Sequence, residues 1–189
     1  MPVTPSSMAS AISTSFASNG LVGTAIPNLS LGIGMGISLW VKSQVVSTTD
    51  VGFLGAGKGT LPFLIPAPLL LTNLMTAYTS NSIVGVMAPQ EANSVATGIS
   101  VGLAQGTIES AHPSVGTGEG IGISSGPDAF SFLMQGFSSN GIIGEFAPKK
   151  ASAISTALKI TLQTITFTIP ILGSASNSAS SGVGSGVVV

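Results

Sequence analysis

The chain has 189 residues, of which 44% are hydrophobic and 6% are Asp, Glu, Lys or Arg, whereas ordinary soluble domains carry roughly 25% charged residues. Five scattered Lys with no Arg cannot form the phosphate-neutralising patch that nucleic-acid binding needs, which argues against that function. The lack of Cys excludes disulfides, thiol catalysis and thiolate metal sites. A net charge of −1 from few charges gives weak self-repulsion, so we expect a homo-oligomer or a subunit of a larger assembly.

A ten-residue stretch occurs three times, as SNGLVGTAIP from Ser18, SNSIVGVMAP from Ser80 and SNGIIGEFAP from Ser139. Such internal repetition indicates that one structural unit has been built three times. We predict a structural elbow in each copy, formed by the Asn, the constant Gly and the Pro. These residues are Asn19, Gly23, Pro27, Asn81, Gly85, Pro89, Asn140, Gly144 and Pro148. Turn chemistry explains each of them without a bound ligand.

A helix is predicted before each elbow. An aromatic residue stands three positions before each Asn and an aliphatic residue stands seven before it, which is the one-turn spacing of a buried helical face. These pairs are Ile12 and Phe16, Leu74 and Tyr78, and Leu133 and Phe137. Pro68 and Pro127 suit the first helical position in the second and third copies, and Pro5 suits it in the first.

The elbow itself needs a residue with positive φ to end the first helix. Gly20 and Gly141 follow the Asn in two copies and can adopt that conformation. Ser82 replaces this Gly in the second copy, so we expect Asn81 to carry the positive φ there. The two aliphatics before the constant Gly are expected to tuck under the hairpin, and that Gly to allow close approach of the next helix.

A second helix is predicted after each elbow. Each copy has a Pro followed by aliphatic residues six and ten positions later, and by small residues three, seven and nine positions later. Aliphatic and small residues at this spacing predict a helix with a tightly packed face.

Gly-rich segments follow the second helices: VGFLGAGKG from Val51, VGTGEGIG from Val115 and GVGSGVVV at the end of the chain. Alternating Gly favours neither a helix nor a well-packed strand, so we expect extended connectors. Thr164 to Ile171 alternates in polarity and predicts a short strand. The fold class is therefore mainly α, with three tandem helical-hairpin repeats joined by extended Gly-rich segments and with minor β possible. We expect one domain, 1–189, with repeats at about 5–66, 67–125 and 126–189.

One Gly-rich segment invites a nucleotide-binding interpretation. Gly52 to Thr60 resembles the phosphate-binding loop of adenylate kinases, and that resemblance makes Lys58 the phosphate ligand. Such a loop must lead directly into a helix. Pro62, Pro66 and Pro68 prevent a continuous helix here, so an adenylate-kinase-like nucleotide binder is the third-ranked hypothesis.

Other chemical constellations are sparse. His112 is the only histidine, so no metal cluster is expected. Glu109, Ser110 and His112 lie close together in the sequence, but beside Pro113 we expect a solvated loop rather than a catalytic triad. We therefore expect no catalytic residues, no cofactor and no enzyme activity.

The charged residues near the second-helix prolines allow two interpretations of their role. Glu91 and Glu145 suit the positive end of a helix. Lys149 and Lys150 do not, and an acidic partner is an alternative role for them.

A membrane-embedded helical bundle is the second hypothesis. Mean hydropathy is +0.62, and Leu21 to Val41 is a charge-free segment of spanning length. The equivalent segments of the other copies carry Glu91, Glu145 and three Lys, which argues against membrane insertion if all three copies share one fold.

The chain resembles small structural proteins of tailed-phage virions in its low charge, its abundant Ser, Thr and Gly, its tandem modules and its lack of a chemical site. This resemblance extends over the whole chain and implies a structural subunit located in the virion, which packs against its own copies and other virion proteins. Capsid decoration, neck, tail and baseplate all remain open.

Overall fold

The chain folds mainly into helices, which confirms the expected fold class at that level. The structure, a computed structural model, describes residues 4–43, 45–51, 56–60, 67–104, 107–114, 117–121, 128–162, 166–169, 171–172 and 181–188. Its helices are α1 (Pro5–Ser18), α2 (Ile26–Lys42), α3 (Ala67–Ser80), α4 (Met87–Leu103), α5 (Phe130–Ser139) and α6 (Phe146–Leu162). Pro127, expected at a helix start, lies outside the described residues.

The six helices form a closed ring. Each helix contacts the next one along the chain, and α6 contacts α1. Neighbouring helices run antiparallel: Gly32 and Gly36 of α2 face Tyr78 and Leu74 of α3, in reverse order. The three turns α1–α2, α3–α4 and α5–α6 therefore lie at one end of the ring, which we call the elbow end.

One continuous core fills the ring, built from residues at equivalent positions of the three helix pairs. Positions are equivalent here when they lie at the same sequence distance from Asn19, Asn81 and Asn140. The first helices contribute Ile12, Phe16, Leu74, Tyr78, Leu133 and Phe137, all fully buried. The second helices contribute Ile33, Ile37, Val95, Ile99, Ile154 and Leu158, which are buried to 2% exposure or less. The 3–4 spacing of apolar residues is thus a true helix-packing pattern.

Helix contacts depend on small residues where backbones approach closely. A Cβ added to Gly36 of α2 would lie 2.9 Å from Leu74 Cα, and one added to Gly98 of α4 would lie 2.6 Å from Leu133 Cα. Gly36 and Gly98 are equivalent, as are Leu74 and Leu133. The same close approach therefore joins α2 to α3 and α4 to α5.

The described residues also include seven strands: β1 (Val45–Val51), β2 (Ala56–Thr60), β3 (Thr107–Ser114), β4 (Thr117–Ile121), β5 (Thr166–Ile169), β6 (Ile171–Leu172) and β7 (Ser181–Val188). β1 pairs with β2 and also with β7. The pairs β2–β3, β3–β4, β4–β5 and β5–β7 complete a closed antiparallel sheet, with β6 on β7.

The strands revise two expectations. Parts of all three Gly-rich segments pair as strands β2, β4 and β7, although their Gly content disfavours strands. Backbone hydrogen bonds between strands from distant parts of the chain outweigh this local preference. Glu109, Ser110 and His112 lie in β3 rather than in a loop. Pro113 is tolerated there because the β3–β4 register shifts between Ala111 and Ser114. The strand expected at 164–171 corresponds to β5, with residues 163–165 and 170 outside the described part.

Candidate functional site

Each first helix ends in the same hydrogen-bonded turn. The helices end at Ser18, Ser80 and Ser139, one residue before the Asn. Two residues after each Asn, a backbone N–H returns to the carbonyl of the buried aromatic residue. These bonds join Leu21 to Phe16 at 2.9 Å, Ile83 to Tyr78 at 2.8 Å, and Ile142 to Phe137 at 2.8 Å. Together with the bond from the preceding residue, they form a Schellman motif in all three copies.

The three Asn side chains make one shared contact. Each Nδ2 donates a hydrogen bond at 2.8 Å to the carbonyl four residues earlier, which is that of Ser15, Ala77 or Gly136. The same carbonyl also accepts a hydrogen bond from the backbone N–H of that Asn, so each Asn binds the end of its helix through both its backbone and its side chain. Asn140 also accepts a bond from Asn93 Nδ2 at 2.9 Å, which ties α4 to the third elbow.

The backbone of the elbows corrects two expectations. Positive φ falls on Ser82 (59°) rather than on Asn81, matching Gly20 and Gly141 at 74°. The Schellman hydrogen bonds require a positive φ at this position, whatever residue occupies it. The constant Gly23, Gly85 and Gly144 have φ of 150°, 137° and 113°. A Cβ added to any of them would meet no atom within 4 Å, so backbone conformation, and not close helix approach, selects Gly there.

The constant prolines occupy the first turn of the second helices. Pro27 is the second residue of α2, while Pro89 and Pro148 are the third residues of α4 and α6. In each turn, the N–H of the residue before the Pro donates to the carbonyl of the constant Gly, at 3.2 Å. The prolines are compatible with this turn because the first N–H groups of a helix lack intrahelical partners.

The elbow end carries a repeated exposed aliphatic residue. Of the two aliphatics in each elbow, the first packs on the core: Leu21 is buried, and Ile83 and Ile142 are half-buried. The second does not tuck under the hairpin as expected. Val22, Val84 and Ile143 are 79%, 75% and 81% exposed. We call these three residues the elbow anchors.

Three further apolar side chains surround the elbow anchors on two of the elbows. Val86 and Met87 are exposed beside Val84, and Phe146 is exposed beside Ile143. The equivalent residues of the first elbow are Thr24 and Ala25. The elbow anchors are therefore the apolar feature that all three elbows share at high exposure. We call the anchors together with Val86, Met87 and Phe146 the elbow face.

Ion pairs at the elbow end are internal to the chain. Lys150 Nζ lies 3.0 Å from Glu91 Oε2, and these side chains are only 18% and 15% exposed. Tyr78 donates a hydrogen bond at 3.4 Å to the other carboxylate oxygen of Glu91. Burial, followed by the charge and hydrogen bond of Glu91, raises the pKa of Tyr78 well above its ordinary value.

The second ion pair is exposed. Lys149 Nζ donates to Glu145 Oε1 at 2.6 Å and lies 5.7 Å from the centre of the Phe146 ring. The hydrogen bond and charge of Lys149 lower the pKa of Glu145. Both Lys149 and Lys150 thus have acidic partners within the chain; the external acidic partner considered from the sequence stays a prediction.

A surface pocket of about 500 Å³ lies between α4 and α5, lined by Asn93, Thr97, Val101, Phe132, Gln135, Gly136, Ser139 and Asn140. Its lining contains amide, hydroxyl and apolar groups and no ionisable side chain. This lining can bind a ligand through hydrogen bonds but provides no acid or base for proton transfer.

The described residues include parts of the chemical sites considered from the sequence. Lys58 lies in strand β2, whereas a phosphate-binding loop leads directly into a helix. Within the ranges that the structure describes, no three His, Asp or Glu residues are grouped to hold a metal ion. The helices among those residues are also too short or too polar to cross a bilayer.

A scan against protein-family models found no match, and comparisons with curated proteins and with solved structures found none either.

Proposed function

We propose that the chain is a structural subunit of a large assembly and that it acts by packing against neighbouring subunits. The observation that carries this proposal is the exposure of Val22, Val84 and Ile143 at the same position of three elbows. Isolated exposed aliphatic residues are normal on any protein. Three at equivalent positions, each in a turn that would accept polar residues, indicate contact with other subunits.

The proposed architecture supports this role. We interpret the chain as three repeats of one module, at about 5–66, 67–125 and 126–189, with each module made of a helical hairpin followed by a Gly-rich segment. A ring of such modules presents the same surface three times. A second set of exposed aliphatic residues also occupies equivalent positions, near the ends of the second helices that lie away from the elbows: Leu39, Val101 and Ile160.

The assembly we propose is a tailed-phage virion, in which the chain serves in capsid decoration, the neck, the tail or the baseplate. Low charge and the abundance of Ser, Thr and Gly support this choice. The role requires no catalysis and no cofactor.

Sedimentation velocity of the purified chain tests the structural role. We expect oligomers, or loss of soluble protein, at micromolar concentration without partners, because weak charge repulsion leaves the exposed apolar positions unprotected. A stable monomer over that range would contradict the proposal. The variant with Leu39, Val101 and Ile160 changed to Thr retains the elbow face and measures how much this second set of exposed aliphatic residues contributes to the association.

A further inference from the structure

The elbow face identifies the symmetry of one neighbour. We propose that it docks coaxially onto a homotrimer whose end presents three identical, uncharged apolar pockets, each of which receives one of Val22, Val84 and Ile143. This inference rests on the proposed structural role and specifies a partner for it.

The elbow anchors are alike in all three elbows, although the residues two and three positions after them are not. The anchors are Val, Val and Ile, all at least 75% exposed. The positions two and three residues later differ completely: Thr24 and Ala25, Val86 and Met87, Glu145 and Phe146. Three identical pockets require a side chain of the same size and polarity in each elbow. A partner without threefold symmetry would contact each elbow differently and would not require three similar side chains.

The charges described at the elbow end cancel within the chain. Glu91 with Lys150 and Glu145 with Lys149 are the ionisable side chains described at the elbow end, and they form two internal ion pairs. The face therefore has no net charge with which to attract a charged partner. Apolar pockets without charge are the complementary surface.

The elbow face presents a substantial apolar area. The six apolar residues of the elbow face are 51% to 86% exposed, so the face presents on the order of several hundred Å² of apolar surface, comparable to the largest patches of about 300–600 Å² on typical monomers, which are often functional. A standard stable interface takes about 800 Å² from each partner. The face is thus large enough for specific docking when its polar surroundings contribute the remainder.

A second copy of the chain is a poorer fit for specific docking of the elbow face, so the oligomers expected of the purified chain without partners are non-specific ones. The elbow anchors are exposed in the turns, and the pocket between α4 and α5 includes Ser139 and Asn140 of the third elbow alone, so it is a single site that cannot receive three anchors. Two faces with projecting side chains do not interlock, and a twofold axis would pair unlike elbows with each other.

Site-specific photo-crosslinking in the native host tests the proposal. A benzoyl-phenylalanine is placed at position 22, 84 or 143 in three separate full-length variants, and at exposed Thr14 of α1 as a control. We expect the three elbow variants to crosslink to the same peptide of one polypeptide, present in three copies for each copy of this chain. The control is expected to miss that peptide.

The possible results are distinguishable. Crosslinks from the three positions to this chain, to three unrelated peptides or to lipid would overturn the homotrimer while leaving an assembly in place. A monomer in the native extract without crosslinks would instead overturn the proposed function itself.

A second variant set does not depend on crosslinking. Changing Val22, Val84 and Ile143 together to Asp is expected to reduce incorporation into the native particle at least tenfold. The matched Thr triple variant keeps side chains of similar size without charge and is expected to lose less. The anchors are exposed, so both variants should keep the helical circular dichroism and the melting temperature of the parent chain. Unchanged incorporation of the folded Asp variant would contradict the docking.

Discussion

Glu91 and Lys150 occupy the same position in two different helix pairs, ten residues after Asn81 and Asn140, and their side chains meet at 3.0 Å. The third equivalent residue, Leu29, is half-buried against the core. A position occupied by an apolar residue in one pair thus holds opposite charges in the other two. The ring brings these charges together, so each partly buried ion has its partner within the chain.

Removing one partner of this ion pair should cost more stability than removing both. Glu91→Leu leaves Lys150 partly buried without its partner and should lower the free energy of unfolding by about 1–3 kcal/mol. The double variant Glu91→Leu with Lys150→Leu copies the chemistry of Leu29 and should recover most of that loss. Urea denaturation of both single variants and the double variant measures the coupling. Additive losses would show that the two side chains do not interact.

Alkaline pH should destabilise the fold through Tyr78. Its pKa is raised in the folded chain, so the folded state holds the phenol proton more tightly than the unfolded state does. The resulting stability is fully present below the unfolded pKa of about 10 and decreases as the pH rises above it. Tyr78 is the only tyrosine, so absorbance near 295 nm reports this residue alone.

We expect no phenolate signal in the folded chain at pH 10.5 and a signal with a pKa near 10 in strong urea. Tyr78→Phe, which copies Phe16 and Phe137, should remove part of the stability loss above pH 10. Ordinary titration of Tyr78 in the folded chain would contradict its burial beside Glu91.

Ser82→Gly should stabilise the second elbow. Ser82 has φ of 59°, a conformation in which a Cβ is strained, while Gly20 and Gly141 adopt 74° at the equivalent positions without that strain. We expect a gain of about 0.5–1 kcal/mol, because relief of the strain exceeds the extra freedom of Gly in the unfolded chain. The reciprocal Gly20→Ser should lose a similar amount. Thermal unfolding of both variants checks the sign, and destabilisation by Ser82→Gly would be the contrary result.

Ser30→Ala should also stabilise the fold. Ser30 is 1% exposed, and its Oγ has no hydrogen-bond partner among the residues that the structure describes. The equivalent residues are Ala92 and Ala151, both fully buried. An unsatisfied buried hydroxyl costs about 1–3 kcal/mol, so we expect a gain of about 1 kcal/mol. Chemical denaturation of the variant measures it; a loss of stability would indicate a hydrogen bond to an enclosed water molecule.

Local patterns in the sequence were sufficient for the helices. The spacing of Leu74 and Tyr78, and of Leu133 and Phe137, reflects burial within a single helix, which a sequence window contains. The pairing of Gly-rich segments into a closed sheet depends on contacts between distant parts of the chain, as between Val45 and Val187. Local composition carries no such information.

Two features of the elbow end lie at equivalent positions of the sequence, but that equivalence alone did not reveal them. Glu91 and Lys150 share one offset from the elbow Asn, which was a signal for their pairing only once the ring was known to bring these positions together. Val22, Val84 and Ile143 also share an offset, but the sequence did not distinguish them from the packed aliphatic residue beside each of them. The Schellman turn decides which of the two neighbours is exposed.

The mass and symmetry of the native particle that contains the chain test the central proposal most directly. Cryo-electron microscopy of that particle should place one copy on a threefold axis, with its elbow end against a trimeric neighbour. A chain that fractionates in native extracts as a single monomer, outside any particle, would contradict the account.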